Sequence, residues 1–242
     1  MEAESPASQA CNKLAASHEL TCKSDQSVKT VAVSVKKIVV FFIGGAGDKE
    51  QYYQDQPPHH NVTAAQVLLP KKFSDAQLTK LQSVYLSYKD VRGKKDIDKY
   101  VHRHLKGDKS IYISIVGHSL GGWNGAHLAA ILKEQGYTVK SLVTLDPVGG
   151  GLGVWLISDI YATTPKPGAE YWINILAAPS KPNQSDDVAD MGERWKMSSG
   201  PDINLSVDAN HEDAGKMFKA VALGEQSARD LIAERMIKYL ES

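Results

Sequence analysis

A serine lies at the centre of the segment Gly117-His118-Ser119-Leu120-Gly121, where a glycine stands two positions away on each side. A strand-like run, 111–116, precedes the segment and a run of small residues follows it, which predicts a strand, a sharp turn and a helix. On such a turn the serine is held in a strained conformation, and its hydroxyl is exposed beside the free N–H groups of the new helix. A capping serine at a glycine-rich helix start is the alternative. The strand before it and the double glycine after it favour a nucleophile.

A serine hydroxyl needs a base, and on this kind of turn an acid and then a histidine follow the serine along the chain. Asp146 meets the demand for an acid, because it closes the predicted strand 139–145 and stands directly before Pro147. Asp186 and Asp187, in the loop after the following strand, are the alternative acids. The sequence therefore predicts Asp146 as the acid, with one of the later aspartates in second place.

His211 is the predicted base, because it follows the last predicted strand. With Asp146 orienting it, His211 would take the proton of Ser119 and return it to the leaving group. The remaining histidines are less suitable. His18 lies in the N-terminal tail, His59 and His60 come too early in the chain, and His102, His104 and His127 lie in predicted helices. His118 is next to the serine, but its side chain is expected to point away.

A glycine-rich segment, Gly44-Gly45-Ala46-Gly47, follows the buried apolar run 38–43. Small residues let a backbone N–H approach a substrate oxygen closely, so Gly45 or Ala46 is expected to donate one hydrogen bond to an oxyanion. The second donor is expected to be the N–H of Leu120, directly after the nucleophile. A dinucleotide-binding turn is a poor alternative, because Glu50 stands where the third glycine would be.

Composition and charge exclude several other classes. Acidic and basic residues number 28 each and no basic stripe is present, so a nucleic-acid partner is not expected. The basic residues of 94–109 alternate with aspartates and suit a solvated helix face. No GK[ST] follows the glycine-rich segment, which excludes a phosphate-binding P-loop.

The elements that must position these side chains follow from the hydrophobic pattern. Strand-like runs alternate with helical stretches, which predicts βαβ units and an α/β fold, with a mainly parallel sheet and helices on both faces. Strands are predicted at 28–35, 38–43, 83–88, 111–116, 139–145, 171–177 and 203–207. Helices are predicted at 75–81, 96–105, 120–134 and 226–240, and 179–200 is expected to be polar and irregular.

The domain organisation is expected to be a mobile tail, 1–26, followed by one domain, 27–242. Within the domain, 149–168 begins with a glycine-rich hinge and continues into several apolar side chains: Leu152, Val154, Trp155, Leu156, Ile157 and Ile160. These side chains suit a mobile lid, or the wall of an acyl pocket, as well as they suit a buried cap helix. A lid of this kind would allow transient contact with a lipid surface.

Two cysteines and one acidic cluster are the only other features with metal or redox chemistry. Cys11 and Cys22 would form one small disulfide in an oxidising compartment or stay free thiols in the cytosol, and neither has a metal-ligand spacing. Asp186, Asp187 and Asp190 could hold calcium, but solvated loop charges are the default interpretation. No metal or cofactor is therefore expected.

The start of the sequence lacks a basic region followed by an apolar one, and no run is long enough to span a membrane. The expectation is a cytoplasmic protein, or one exported without a standard signal peptide.

Two motifs resemble lipases and esterases of the α/β-hydrolase superfamily. Gly117-His118-Ser119-Leu120-Gly121-Gly122 resembles the GHSLGG turn frequent in lipases, and Leu145-Asp146-Pro147 resembles the strand end that carries the acid in pancreatic-type lipases. In order of elements the resemblance covers residues 37 to 215. The glycine-rich segment departs from the usual His-Gly form, so the choice between Gly45 and Ala46 stays open. The length and start of the chain also resemble bacterial lipase effectors.

The resemblance implies an α/β-hydrolase fold and hydrolysis of carboxylic esters through an acyl-enzyme on Ser119, with a small-molecule or lipid ester as substrate. A thioesterase, or another acyl hydrolase with the same residues, is the alternative enzyme. A hydrolase fold that serves as a non-catalytic interaction module is the alternative of a different class, and the presence of every expected site residue argues against it.

Overall fold

A six-stranded parallel sheet is the centre of the computed structural model, which describes residues 36–51, 58–151 and 153–242. Its strands are β1 (Ile38–Gly44), β2 (Leu81–Ser87), β3 (Tyr112–His118), β4 (Val139–Leu145), β5 (Trp172–Ala177) and β6 (Ile203–Val207). They lie in the order β2-β1-β3-β4-β5-β6, and each neighbouring pair is parallel. The carboxyl ends of these strands therefore meet at one edge of the sheet.

Helices connect the strands. The longer ones are α1 (Asn61–Leu68), α5 (Leu120–Glu134), α7 (Gln184–Met191), α8 (Ala214–Lys219) and α9 (Ala228–Glu241). The shorter ones are α2 (Asp75–Leu78), α3 (Lys94–Ile97), α4 (Arg103–Leu105) and α6 (Val154–Ile157), with a π-helical stretch, Asp98–His102, between α3 and α4. A small antiparallel pair, β7 (Val221–Leu223) and β8 (Gln226–Ser227), precedes α9.

The sheet is covered on both faces, as the alternation of side chains along β1 shows. Val39, Phe41 and Ile43 pack in a cluster with residues of α3, α4 and α5, such as Ile97, Leu105 and Leu128. Ile38, Val40 and Phe42 of β1 point to the opposite face. They belong to a second cluster with residues of α1, α8 and α9, which include Val62, Phe218 and Ile232. Every residue of β1 is buried, which is why its sequence is a continuous apolar run.

This topology confirms the predicted α/β-hydrolase fold, with a mainly parallel sheet and helices on both faces. Most boundaries shift by one to three residues. Strand β3 ends at His118 rather than 116, because Gly117 and His118 pair with neighbouring strands. Helices α1 and α8 were not predicted, and α7 lies in a segment that was expected to be irregular.

Several sequence expectations lie outside the described residues. These are the tail 1–26, the strand 28–35, both cysteines and Leu152. In the part of the chain that the structure describes, no helix has both the length and the apolar composition that crossing a bilayer requires.

Candidate active site

Ser119 stands at the sharp turn between β3 and α5. Its backbone has φ 57° and ψ −130°, a conformation that side-chain-bearing residues rarely adopt. The turn is tight because a glycine follows: a Cβ at Gly121 would lie 2.2 Å from the carbonyl oxygen of Ile43. The N–H of Ser119 donates to the carbonyl of Leu145 over 3.1 Å, which ties the turn to the end of β4.

Three side chains from three strand ends form one hydrogen-bonded chain. Nε2 of His211 lies 3.0 Å from Oγ of Ser119, and Nδ1 of His211 lies 2.6 Å from Oδ2 of Asp146. An ionised carboxylate only accepts, so Nδ1–H of His211 donates to Asp146 and leaves Nε2 to accept the proton of the Ser119 hydroxyl. The sequence named these residues from three separate segments, and the structure brings them together at the carboxyl edge of the sheet.

Burial and neighbouring charges set the protonation states of His211 and Asp146. Burial lowers the pKa of His211; the hydrogen bond to Asp146 opposes this, and the neighbouring His118 and Arg194 add to it. Burial also works against ionisation of Asp146, but the hydrogen bond and charge of His211 and the charge of Arg194 outweigh it and hold the pKa of Asp146 below its usual value. A neutral imidazole beside an ionised carboxylate is the arrangement that a general base requires.

The alternative acids do not reach the imidazole. Asp186 is buried, and its Oδ1 accepts the backbone N–H of His211 over 3.0 Å. Its Oδ2 accepts the side-chain amide of Asn210 at 2.9 Å. Asp187 is exposed on α7. Asp186 thus holds the backbone of the histidine, while Asp146 contacts its ring.

Arg194 is a residue of the site that the sequence did not single out. Its side chain is 7% exposed, and its Nε lies 2.8 Å from Oδ2 and 3.1 Å from Oδ1 of Asp146. One terminal nitrogen donates to Oδ1 of Asp186 at 2.9 Å, and the other donates to Asp190. One guanidinium therefore joins the acid that contacts the ring of His211 to the acid that holds its backbone.

The side chain of His118 packs against His211 and hydrogen-bonds to its backbone. The two rings lie 4.8 Å apart between centroids, and Nε2–H of His118 donates to the backbone carbonyl of His211 over 2.7 Å. On its other side, Nδ1 of His118 lies 3.9 Å from Oδ2 of the buried Asp48, beyond hydrogen-bond distance. Asp48 in turn accepts the hydroxyl of Tyr85 at 3.0 Å. The side chain of His118 thus points away from Ser119, as expected, but it packs against the histidine of the chain.

The glycine-rich segment lies directly against the serine. A Cβ at Gly45 would lie 2.6 Å from Cβ and 2.9 Å from Oγ of Ser119, and 3.2 Å from the backbone nitrogen of Leu120. Leu120 is the first residue of α5, so its N–H has no acceptor within the helix. The structure therefore places Gly45 beside the hydroxyl and beside the N–H of Leu120, while Ala46, the alternative donor, is the next residue along and lines the adjoining cavity.

A cavity of about 300 Å³ opens beside this segment. Its walls include Gly45, Ala46 and Tyr88, together with Ile157 from α6. In α6, Val154 is buried, whereas the exposed fractions of Trp155, Leu156 and Ile157 are 45%, 67% and 87%. The apolar part of 149–168 thus borders the site on one side and solvent on the other.

The acidic residues of α7 do not gather around an open position. Asp186 and Asp190 both bind Arg194. Among the described residues, no group of three or more His, Cys, Asp or Glu side chains has an arrangement that could hold a metal ion.

Comparison with known proteins gives structural similarity only. No family model matches the chain, and the search of curated proteins gave no match. The solved structures similar to it include an esterase domain from Rhodothermus marinus, with 12% identity and a TM-score of 0.42, covering 87% of this chain and 90% of that one. A putative cell surface hydrolase from Lactobacillus plantarum WCFS1 has 12% identity, coverage of 86% and 92%, and a TM-score of 0.43. YbtT, a type II thioesterase of the yersiniabactin pathway, has 10% identity and a TM-score of 0.41, and the match covers 86% of this chain and 94% of that one.

Proposed function

We propose that this protein is a serine hydrolase that cleaves carboxylic esters through an acyl-enzyme on Ser119. The observation that carries the proposal is the continuous chain from Oγ of Ser119 through His211 to Asp146, with distances of 3.0 Å and 2.6 Å. The chain begins at a serine held in a strained turn at the N-terminus of a 15-residue helix. A hydroxyl, a neutral base and a buried carboxylate in this order are the groups that nucleophilic acyl transfer requires.

In the first half of the reaction, Oγ of Ser119 attacks the ester carbonyl while its proton passes to Nε2 of His211. The carbonyl π electrons move to the oxygen, and the N–H of Leu120, with that of Gly45 or Ala46, donates to this oxyanion. Asp146 stabilises the imidazolium ion that has formed. When the tetrahedral intermediate collapses, the C–O bond to the leaving alcohol breaks and Nε2–H of His211 protonates the alcohol.

In the second half, a water molecule replaces the alcohol. His211 takes a proton from the water, the water oxygen attacks the acyl carbon, and the bond between that carbon and Oγ of Ser119 breaks on collapse. The proton held by His211 returns to Oγ. The products are a carboxylic acid and the free enzyme, so no cofactor is needed.

The exposed apolar side chains of α6 favour an ester with an acyl chain, from a small molecule or a lipid, although the cavity wall beside them also carries polar residues such as Glu50 and Lys89. Ile157 lines the cavity beside the oxyanion segment, and the exposed side chains of α6 would let the rim touch a lipid surface transiently. We propose 149–168 as this rim, acting as a lid or as a wall of the acyl site.

A fluorophosphonate probe tests the proposed chemistry. Folded wild-type protein is expected to be labelled on Ser119, and Ser119→Ala and His211→Asn are expected to lose labelling. His102→Asn is the matched control, because His102 lies in the π-helical stretch before β3 and its ring hydrogen-bonds to Asp98 and Gln135. Absence of labelling in folded wild-type protein would contradict a serine hydrolase.

A substrate panel separates the finer possibilities. It contains p-nitrophenyl esters from acetate to palmitate, a phospholipid and an acyl-CoA. Turnover of long-chain esters supports the lipid-ester proposal, and a preference for short soluble esters removes it while an esterase remains. A clear preference for acyl-CoA would move the substrate class to thioesters.

A further inference from the structure

The guanidinium of Arg194 hydrogen-bonds to both acids that hold His211, and not to Ser119 or the imidazole ring. Nε bonds to both carboxylate oxygens of Asp146, and a terminal nitrogen bonds to Asp186, which accepts the backbone N–H of His211. A chain that needed only Ser119, His211 and Asp146 would not require a buried cation at this place. Its presence therefore calls for a physical explanation.

The position of Arg194 is itself fixed by the backbone on both sides. The carbonyl of Glu193 accepts the N–H groups of Gly149 and Gly150, each at 3.2 Å, and the N–H of Trp195 donates to the carbonyl of Pro147 at 2.7 Å. Arg194 also forms an isolated antiparallel bridge with Val148. These bonds tie the backbone of Arg194 to the residues that directly follow Asp146.

Asp146 needs such support, because its backbone is strained. It has φ 42°, although it carries a side chain, and the N–H of Ala177 is the only backbone donor that its carboxylate has among the described residues. A carboxylate that turned by one rotamer would lose the imidazole Nδ1–H. The rigid, planar guanidinium contacts Asp146 through Nε and Asp186 through a terminal nitrogen, a fixed spacing of donors that the point charge of a lysine does not offer.

We propose that Arg194 is a positioning residue of the active site, which orients the ionised Asp146 toward His211 and, through Asp186, fixes the histidine backbone. The inference rests on the proposed function, because positioning matters only if His211 acts as a base. The hydrogen bonds of the Arg194 side chain go to Asp146, Asp186 and Asp190 and not to Ser119, and Arg194 does not line the cavity beside Gly45. Its replacement is therefore expected to change kcat and leave KM unchanged.

The charge of Arg194 adds an effect that a purely structural residue would not have. It opposes protonation of His211, in the same direction as burial and His118, and against Asp146. Several elements bring charged and titratable groups near His211. Asp146 follows β4, His118 ends β3 and Asp48 lies in the turn after β1. Asp186 and Asp190 lie on α7, Arg194 follows α7, and Glu212 and Asp213 lie in the same loop as His211. Loss of the guanidinium charge alone is expected to raise the pKa of His211.

The test compares Arg194→Gln with Arg194→Lys, by the pH dependence of ester turnover and by the NMR titration of the His211 ring, assigned with His211→Asn. Arg194→Gln is expected to lower kcat by about 10²-fold with KM unchanged, because a small misplacement costs this much. It is also expected to move the His211 titration to higher pH. Arg194→Lys keeps a charge, so its titration should stay closer to wild type while kcat falls. An unchanged titration together with an unchanged kcat in folded Arg194→Gln overturns the proposal.

A milder pair of variants covers the case in which Arg194→Gln does not fold. Asp190→Asn removes a carboxylate that binds Arg194, which leaves the guanidinium charge less balanced and is expected to move the His211 titration to lower pH. Asp187→Asn is the matched control, since Asp187 is exposed on the same helix, whose other aspartates, Asp186 and Asp190, are the ones that pair with Arg194. Identical His211 titrations in the two variants would overturn the proposal.

The NMR readout separates this proposal from the proposed function. Wild-type protein that is not labelled by a fluorophosphonate contradicts the hydrolase, whatever the titration shows. Labelled wild-type protein in which Arg194→Gln leaves both the titration and kcat unchanged contradicts the role of Arg194 alone.

Discussion

His211 is held by more partners than its proposed chemistry requires. Its ring bonds to Ser119 and Asp146, its backbone N–H bonds to Asp186, and its carbonyl accepts from His118. A base must be both neutral and correctly placed before the substrate arrives. The ring contacts set its protonation, and the backbone contacts set its position.

The pH dependence of turnover should reveal the state of His211. Because burial lowers its pKa, the imidazole stays neutral at lower pH than an ordinary histidine, whose pKa is about 6.5. The acid limb of kcat/KM is therefore expected to lie below pH 6.5. The measurement is kcat/KM on a soluble p-nitrophenyl ester, at pH values where the protein is shown to stay folded. A limb centred above pH 6.5 would contradict the neutral buried base.

Gly45 offers a second test at the residue scale. Gly45→Ala would place a Cβ 2.6 Å from Cβ of Ser119 and 2.9 Å from its Oγ, so the oxyanion segment or the nucleophile must shift. Loss of one oxyanion donor typically costs on the order of 10² to 10³ in kcat, and we expect a loss of this size. Glu134→Ala, at an exposed position at the far end of α5, is the control. Equal kcat values for the two variants would show that the segment does not need this close approach.

Among the elements, those with a strong apolar pattern were the ones that the sequence predicted well. Strand β4 and helix α5 have the predicted bounds, because both are buried along most of their length. Helix α7 was missed because its sequence, QSDDVADM, has few apolar residues. It is held instead by the cap of Asn183, whose side chain accepts from Ser185, and by Arg194. Neither interaction has a periodic signature.

The candidate site shows the same division. Ser119, Asp146 and His211 were predictable because each follows a recognisable strand and they occur in a known order. Arg194 was not, because it lies in a polar stretch and its partner Asp146 is 48 positions away. The contact of His118 with the carbonyl of His211 spans 93 positions. Such contacts depend on the packing of α7 and the loop before α8, which no local pattern encodes.

Helix α5 begins directly after Ser119, the proposed nucleophile, and its side contacts the segment that follows α6. The side chain of Asn124 donates to the carbonyls of Tyr88 and Asp159, at 2.9 Å and 3.1 Å, and accepts the N–H of Tyr161 at 3.2 Å. Trp123 adds a bond from its indole N–H to the carbonyl of Tyr161. The segment that follows α6 is therefore fixed to the same helix as Ser119.

Asn124→Ala should loosen this attachment. Asn124 is fully buried, and its removal leaves a backbone N–H and two carbonyls without this partner, which costs about 1–3 kcal/mol in the free energy of unfolding. Urea denaturation measures the change. Glu134→Ala, at an exposed position in the same helix, is the control and should stay within about 0.5 kcal/mol of wild type. Equal stabilities for the two variants would mean that the contacts of Asn124 contribute nothing net.

At the scale of the whole molecule, the apolar core and the polar candidate site lie in different parts of the sheet. The two apolar clusters cover its two faces. The polar side chains of the candidate site lie at the carboxyl edge, where the strands end and the chain turns. The cost of this arrangement is a set of titratable groups kept out of water. Their protonation must therefore be linked to the stability of the fold.

Acid is expected to destabilise the protein in two steps. Burial lowers the pKa of His211 and of His127, so the unfolded chain binds more protons than the folded one as pH falls below about 6.5, and stability is lost there. The pKa values of Asp48 and Asp146 are also lowered: burial opposes the shift, but His118 next to Asp48, and His211 and Arg194 next to Asp146, outweigh it. This second contribution is present above the unfolded carboxyl value of 3.8 and is lost as pH falls below it.

The free energy of unfolding in urea, measured from pH 7 to pH 3, tests both steps. It should fall between pH 7 and pH 5 and fall again below pH 4, because in each range the unfolded state takes up protons that the native state does not. His211→Asn removes the buried base, so its stability should depend less on pH between 7 and 5. Ser119→Ala keeps the base and should retain the wild-type dependence. A wild-type stability that rises as pH falls from 7 to 5 would show that the buried histidines are charged in the native protein, which would leave Ser119 without its base.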